Sequence, residues 1–332
     1  MAASTQSALA PELATQLSAI LHGAAVAVLG DRGFLRITGP DAARWLNGMV
    51  TNAIQTLQPG EGNYNFLLNA QGQIQGDCTI YRDPNAAEPA YVLETTRSQI
   101  DAIQQHLDKY IIMDDVELKS VDEYPETVLI LGPRAADVLR NISETCGIAE
   151  LEPQHLASSG SLQITTPSAA PVPEFEIATA SAASLLQSLV NAGASDISAE
   201  ALEAFRILSG TPRYGIDIRP RDLPQETAQA HALHFSKGCY LGQEIVERIR
   251  SRGNVHRTFS GFEFTGQLPS SGTQLIAEGK PVGEITSAAT IPLSGRTVQL
   301  GLGYIRREAL ERKLPIEYPG GTAAAVALPY PI

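Results

Sequence analysis

The chain has 332 residues, 43% hydrophobic and 18% charged, with 24 Lys and Arg against 36 Asp and Glu, a formal charge of −12. That hydrophobic fraction excludes a disordered chain, and the length leaves room for two to three domains of about 100–150 residues each. The acidic balance counts against a grip on phosphate backbones, which needs clustered Lys and Arg, so no direct nucleic-acid partner is expected.

Met1 to Ile20 carries one charge, Glu12, and neither Lys nor Arg. It reads as neither a secretory signal nor an Arg-rich presequence. With no apolar run near the ~20 residues that cross a membrane, a cytoplasmic location and no membrane partner are expected. Further on, Ile37-Thr-Gly-Pro-Asp-Ala-Ala-Arg-Trp-Leu46 resembles Ile130-Leu-Gly-Pro-Arg-Ala-Ala-Asp-Val-Leu139 at six equivalent positions. Each reads as a strand ending at Gly-Pro with a helix after it, Pro being well placed where a helix starts. The pair implies two related α+β subdomains.

In the first, Tyr64–Leu68 and Cys78–Tyr81 read as strands around the turn Asn69-Ala-Gln-Gly72. Ile100, Ile103, Leu107 and Tyr110 recur at helical spacing, predicting a helix over 98–109. The second adds a strand at Phe175–Ala178 and a helix bearing Leu185, Leu186, Leu189 and Val190, stopped by Gly193. Ala157–Pro173 is rich in Ser, Thr, Ala and Pro and reads as a mobile loop or an edge strand with a loop. From Val255 onward, short runs (Phe259–Phe264, Thr273–Ala277, Val282–Thr286, Val298–Leu302) alternate with Gly-containing turns, and Glu278-Gly-Lys280 reads as a hairpin connection. That texture predicts a small antiparallel barrel or sandwich.

The cysteines are Cys78, Cys146 and Cys239. They are scattered and odd in number, which counts against a disulfide framework. They are also too few for the four thiolates an iron–sulfur cluster usually takes, so no cluster is held by one chain alone. Cys239 lies in Ser236-Lys-Gly-Cys-Tyr-Leu-Gly-Gln-Glu-Ile-Val-Glu-Arg248. Leu241, Ile245 and Ile249 lie four apart, so a helix starts near Leu241 or Gly242. Cys239 then sits ahead of a helix N-terminus, with Lys237 close by. Both surroundings favour a thiolate, the reactive and metal-binding form. The plain alternative is a buried structural cysteine. His231 and His234, three apart, complete no ligand set and read as structural.

Lys237-Gly-Cys-Tyr-Leu-Gly-Gln-Glu244 resembles the signature of the folate-binding YgfZ family, which includes mitochondrial iron–sulfur assembly factors of the Caf17 type. Gly210-Thr-Pro-Arg-Tyr-Gly-Ile-Asp217 with Leu223-Pro-Gln-Glu226, Trp45-Leu-Asn-Gly-Met-Val-Thr-Asn52, Leu67-Leu-Asn-Ala-Gln-Gly72, Gly279-Lys-Pro-Val-Gly-Glu-Ile-Thr-Ser287 and Leu300-Gly-Leu-Gly-Tyr304 resemble its other elements. The resemblance spans most of the chain. It implies a scaffold shared with the aminomethyltransferase (T-protein) of glycine cleavage: two ferredoxin-like α+β subdomains, a C-terminal antiparallel β-barrel, and a tetrahydrofolate channel between them. The expected division is 1–120 with 200–252, then 121–199, then 253–332.

It also implies a site. Cys239 and Lys237 are expected to carry the chemistry, Cys239 as a transient cluster ligand. Tyr240, Gln243 and Glu244 of the same signature are expected beside the cofactor. Asp77 falls where the aminomethyl-transferring relatives carry two acids, the first replaced here by Gly76, which places aminomethyl transfer in doubt. Glu176 and Arg206 resemble an acid and a cation on the folate channel wall, the plain alternatives being a surface strand acid and a helix-face cation. The basic run Arg248, Arg250, Arg252, His256 and Arg257 suits the carboxylates of a glutamyl tail, an acidic partner, or plain solvent.

The function so implied is a tetrahydrofolate-binding accessory factor for [4Fe–4S] cluster assembly or repair. Its partners would be iron–sulfur assembly or client proteins, and its support of tRNA modification indirect. No conventional enzymatic activity is expected of it; as an enzyme it would be a tetrahydrofolate-dependent transferase. The rivals are a glycine-cleavage-type aminomethyltransferase and a folate-binding module without a cluster role.

Overall fold

The computed structural model describes residues 2–121, 126–143, 145–159, 162–166, 171–253, 255–293 and 295–332. In chain order the helices are α1 (Ala2–His22), α2 (Ala42–Met49), α3 (Arg97–Asp108), α4 (Ala135–Arg140), α5 (Ala182–Asn191), α6 (Ala199–Ser209), α7 (Gln243–Arg252) and α8 (Arg307–Glu311). The strands are β1 (Ala25–Leu29), β2 (Arg32–Thr38), β3 (Gly62–Leu68), β4 (Ile74–Arg82), β5 (Tyr91–Thr96), β6 (Glu117–Ser120), β7 (Glu126–Leu131), β8 (Leu156–Ser159) and β9 (Leu162–Thr165). They continue with β10 (Glu174–Thr179), β11 (Ser195–Asp196), β12 (Arg257–Gly266), β13 (Gln274–Ala277), β14 (Lys280–Leu293), β15 (Arg296–Arg306), β16 (Ile316–Tyr318) and β17 (Gly321–Val326).

Two compact units form. One comprises Ala19–Asp196 with Ala230–Glu247, the other Met1–Ser18, Ile197–Gln229 and Arg248–Ile332. This grouping differs from the expected three-part division. β1 pairs with β7, so the 25–29 strand joins the sheet of the second α+β half. The 200–252 stretch is shared between the units.

In the first unit, a five-stranded sheet has the order β3-β4-β5-β2-β6 and a six-stranded sheet the order β11-β1-β7-β10-β9-β8. Strand alternation sorts the faces. Leu35, Ile37, Cys78, Ile80 and Leu93 point to one face of the five-stranded sheet and bury against Trp45 and Leu46 of α2 and Ile100, Ile103 and Leu107 of α3. The opposite face presents Phe34, Tyr81 and Val92, which pack on Leu156 and Ala178 of the other sheet. The six-stranded sheet buries Val26, Val128, Ile130 and Ile177 under α4 and α5.

The repeated motif is visible in the backbone. Gly39 and Gly132 end their strands at φ 116° and 119°. In both copies the glycine carbonyl accepts from the amide three residues on, Ala42 or Ala135, at 3.0 Å. A side chain at either glycine would strike a backbone carbonyl, of Asp115 or of Gly23. The expected helices and strands of both halves are present with end shifts of one to four residues. The Ser/Ala-rich segment resolves as the β8–β9 hairpin, with β8 at the sheet edge; residues 160–161 and 167–170 within it lie outside the described residues.

In the second unit, six antiparallel strands close as β12-β15-β14-β13-β16-β17, with β17 returning to β12. Phe262, Phe264, Leu275, Ile285, Ile305 and Tyr318 fill it. The expected hairpin turn has Glu278 and Gly279 at φ 51° and 71°, the paired positive angles of a tight two-residue turn. Between Ile285 and Ser287 the register with β15 shifts, and there Gly303 faces the Glu284 carbonyl so closely that a Cβ would collide with it. Gly303→Ala is therefore expected to lower stability by about 1–3 kcal/mol, measured by urea unfolding.

Candidate functional site

The signature segment lies along the loop that follows α2. Asn52 Nδ2 donates to His231 O (2.9 Å), Thr51 Oγ1 to Ala232 O (2.6 Å), and Lys237 Nζ to Val50 O (2.8 Å) and Asn52 O (2.5 Å). The amides of His234 and Leu241 donate to Thr51 O (3.1 Å) and Gly48 O (3.0 Å). Two stretches nearly 190 residues apart in sequence are thus one structural piece, and both belong to the resemblance.

At its end the chain turns sharply. Gly242 has φ 81°, and a Cβ there would lie 2.5 Å from Asn69 O, so only glycine fits. The Asn69–Gly72 turn supplies that carbonyl; Asn69 Oδ1 accepts from Gln71 N and Gln73 N, both at 3.0 Å. Gln243, the first residue of α7, folds its side chain back so that Oε1 accepts from Tyr240 N (3.2 Å). Glu244 is exposed in the first helical turn, where an acid complements the helix dipole.

Cys239 is exposed at this turn, while Cys78 is buried. Burial holds the Cys78 thiol well above its usual range, which makes it inert. Burial pushes Lys237 down to about 7, and its two carbonyl acceptors act in the opposite direction. Lys237 also lies over the Tyr240 ring, 5.1 Å from its centroid. Tyr240 is buried, and among the described residues its hydroxyl has no hydrogen-bond partner. Its pKa is raised to about 12 by burial and by Glu247.

A second cluster occupies the opposite face of the five-stranded sheet. Asp77 Oδ2 accepts from Tyr64 Oη (2.7 Å) and Oδ1 from Gln99 Nε2 (2.8 Å). Burial raises its pKa against those two bonds and the Arg32 charge. Glu176, 3% exposed, forms a two-pronged ion pair with Arg32. Glu94 accepts from Thr165 Oγ1 at 3.3 Å. Burial, followed by the Glu176 charge, lifts Glu94 to about 8. Glu174 is lifted to about 8 for the same two reasons. Four carboxyls therefore gather around Arg32. The clusters are linked through Tyr64, whose carbonyl accepts from Asn52 Nδ2 (3.2 Å) and whose ring lies 5.4 Å from that of His231.

Asp77, Glu176, Lys237, Cys239, Tyr240, Gln243 and Glu244 all lie in the first compact unit. Arg206 lies in the other, and its five N–H donors are all taken: by Glu203 twice, and by Thr211 O, Asp217 and Ser287. It organises a buried network centred on Asp217 and leaves no donor for a ligand. The basic run also divides. Arg257 pairs with Asp222 and Glu226 and lies 4.6 Å from the Tyr304 ring centroid. Arg248, Arg250 and His256 are exposed, and the Arg252 side chain lies outside the described residues. Among the described residues no group of three His, Cys, Asp or Glu is placed to hold a metal.

Sequence reasoning missed Arg32, Glu94 and Glu174. The signal was present in Glu94, a lone acid within the apolar strand Tyr91-Val-Leu-Glu-Thr-Thr96. Between pH about 4.5 and 8 folded Glu94 keeps a proton that the unfolded chain releases, so its contribution to stability falls as pH rises. Glu94→Gln is expected to gain stability relative to the wild type from pH 5 to pH 8.5 in urea unfolding; an equal difference at both pH values would contradict this ionisation.

The GCVT N-terminal domain family matches residues 9–164, and the CAF17 C-terminal β-barrel domain matches residues 257–330. The human mitochondrial iron–sulfur cluster assembly factor IBA57 is 29% identical over 91% of this chain and 83% of its own length. An aminomethyltransferase of Nostoc sp. is 25% identical over 94% of this chain and 85% of its own. The crystal structure of aminomethyltransferase T of the glycine cleavage system from Bartonella henselae shares the fold, with a TM-score of 0.82 at 21% identity, covering 96% of this chain and 89% of that one. No helix among the described residues is long and apolar enough to cross a membrane. The chain joins a GCVT-like domain to a CAF17-type C-terminal β-barrel and is a homologue of the IBA57 iron–sulfur assembly factors and of the aminomethyltransferases.

Proposed function

We propose that this chain is a tetrahydrofolate-binding accessory factor for the assembly or repair of [4Fe–4S] clusters, working through the Cys239 thiol in the cytoplasm. One observation carries the reading: the signature cysteine is exposed on a turn that the rest of the signature holds in place. The chain has three cysteines, fewer than the four thiolates a cluster takes. Cys239 therefore serves as one ligand of a cargo cluster, and an iron–sulfur assembly or client protein supplies the others. Support of tRNA-thiolating iron–sulfur enzymes is indirect, in keeping with the charge of −12.

Folate binding is supported by the acid cluster. Burying several carboxyls around one arginine is costly, and such perturbed groups concentrate at binding sites. A pterin edge, which carries N–H donors and ring-nitrogen acceptors and no negative charge, suits the carboxylates Asp77 and Glu176 together with the protonated carboxyls Glu94 and Glu174. Bound tetrahydrofolate offers a one-carbon carrier. The protein's part is to orient it with these acceptors, Asp77 fixed by Tyr64 and Gln99 and Glu176 fixed by Arg32. Lys237 and Gln243 are positioning residues for the thiol.

The aminomethyltransferase reading is favoured by the identity with the Nostoc enzyme and opposed by Gly76 in place of the first acid. The two readings part in cells lacking the gene. Wild-type protein is expected to restore [4Fe–4S] enzyme activity and Cys239→Ser to fail, while the purified Ser variant binds 5-formyltetrahydrofolate as the wild type does. Asp77→Asn and Glu176→Gln are expected to weaken that binding by about ten-fold or more. Full rescue by Cys239→Ser, with loss in Asp77→Asn, would replace this reading with folate-dependent transfer.

A further inference from the structure

The loop between α3 and β6 carries the two most exposed large hydrophobic side chains among the described residues, Ile112 at 81% and Met113 at 93%. It is fastened on both sides of this tip. Trp45 Nε1 donates to Tyr110 O (3.1 Å), and Ile111 packs on the core beneath α2. Arg44 donates to Asp114 Oδ1 (2.6 Å), and Asp115 N donates to Asp41 Oδ2 (3.0 Å). Gly39 closes on the Asp115 carbonyl too tightly to admit a side chain. The tip is thus held out in water by contacts on its shoulders, which keeps the entropic cost of docking low.

Its place in the fold gives it a use. Arg44 and Trp45, which hold the loop, lie one helical turn from Gly48, whose carbonyl holds Leu241 beside the Cys239 turn. Four residues of helix span about 6 Å, so one short helix supports both the apolar tip and the thiol. The surroundings select the occupant. Asp108, Asp115 and Glu117 are exposed on this loop and strand against Lys109 and Lys119, with Arg44 neutralised by Asp41 and Asp114, an acidic balance that disfavours an anionic lipid surface. The charge of −12 likewise disfavours a second copy of the chain.

We propose that Ile112 and Met113 form a docking hook for the protein that shares the cluster with Cys239, and that this partner presents an apolar pocket with a basic rim. The inference rests on the reading of Cys239 as a shared ligand. The test compares Ile112→Ser/Met113→Ser with Cys239→Ser in cells lacking the gene, with p-benzoylphenylalanine in place of Met113 as a photo-cross-linker. The hook variant is expected to fold as the wild type does and to lower the restored [4Fe–4S] enzyme activity by about five-fold or more. The cross-linker is expected to capture a protein with cysteine-ligated iron–sulfur centres, and Ile112→Asp to abolish that capture. Full rescue by the hook variant alongside failure of Cys239→Ser would overturn the hook and leave the thiol reading standing. Rescue by both would overturn the thiol reading as well. Cross-links confined to a second copy of the chain or to lipid would overturn the choice of partner.

Discussion

The Lys237 ammonium, held between the carbonyls of Val50 and Asn52, is the contact on which the site depends. Burying an ammonium without a carboxylate is unfavourable, and hydrogen bonds to a charged group return about 1.5–3 kcal/mol each. The arrangement fixes the signature segment against the loop after α2. From that anchor the Thr51, Asn52 and Gly48 contacts align the segment, and Gly242 and Gln243 turn it into α7. Cys239 is exposed just ahead of that turn. In the proposed reading, in which this thiol meets a partner's metal, such a fixed mount is an advantage, since less freedom is lost on binding.

The same anchor reaches the acid cluster in two steps, from Asn52 to Tyr64 and from Tyr64 to Asp77. Behind Asp77 stands the Arg32–Glu176 pair, which ties the two sheets of the first unit together. A buried ion pair contributes little net stability, and the additional acids Glu94 and Glu174 burden this one further. An apolar interface would hold the sheets more firmly, as Phe34, Tyr81 and Val92 do beside it. In the proposed reading this polar cluster is the ligand-binding surface, and it joins the Cys239 turn through the continuous chain of contacts from Asp77 to Tyr64 to Asn52.

Much of this was legible in the sequence, for identifiable reasons. The Gly-Pro repeat predicted two equivalent strand-to-helix turns because a glycine at φ near 117° has few substitutes, and Gly39 and Gly132 both adopt it. The barrel was readable from its turns, though β16, three residues long, and β17, rich in Ala, carry too little periodic signal. Cys239 stood out through its neighbours. Arg206 misled because an arginine on a helix face looks alike whether its donors go to ligand or to protein; here Glu203, Asp217 and Ser287 take them. Arg32 and Glu94 were obscured because strand alternation identifies a face without saying what packs against it.

The most direct test of this account is Lys237→Met, a change that removes the ammonium while keeping most of the side chain's apolar length. The variant is expected to keep the wild-type fold by circular dichroism, yet to fail, as Cys239→Ser does, to restore [4Fe–4S] enzymes in cells lacking the gene. Full restoration by Lys237→Met would contradict the claim that this buried ammonium sets the working position of the thiol.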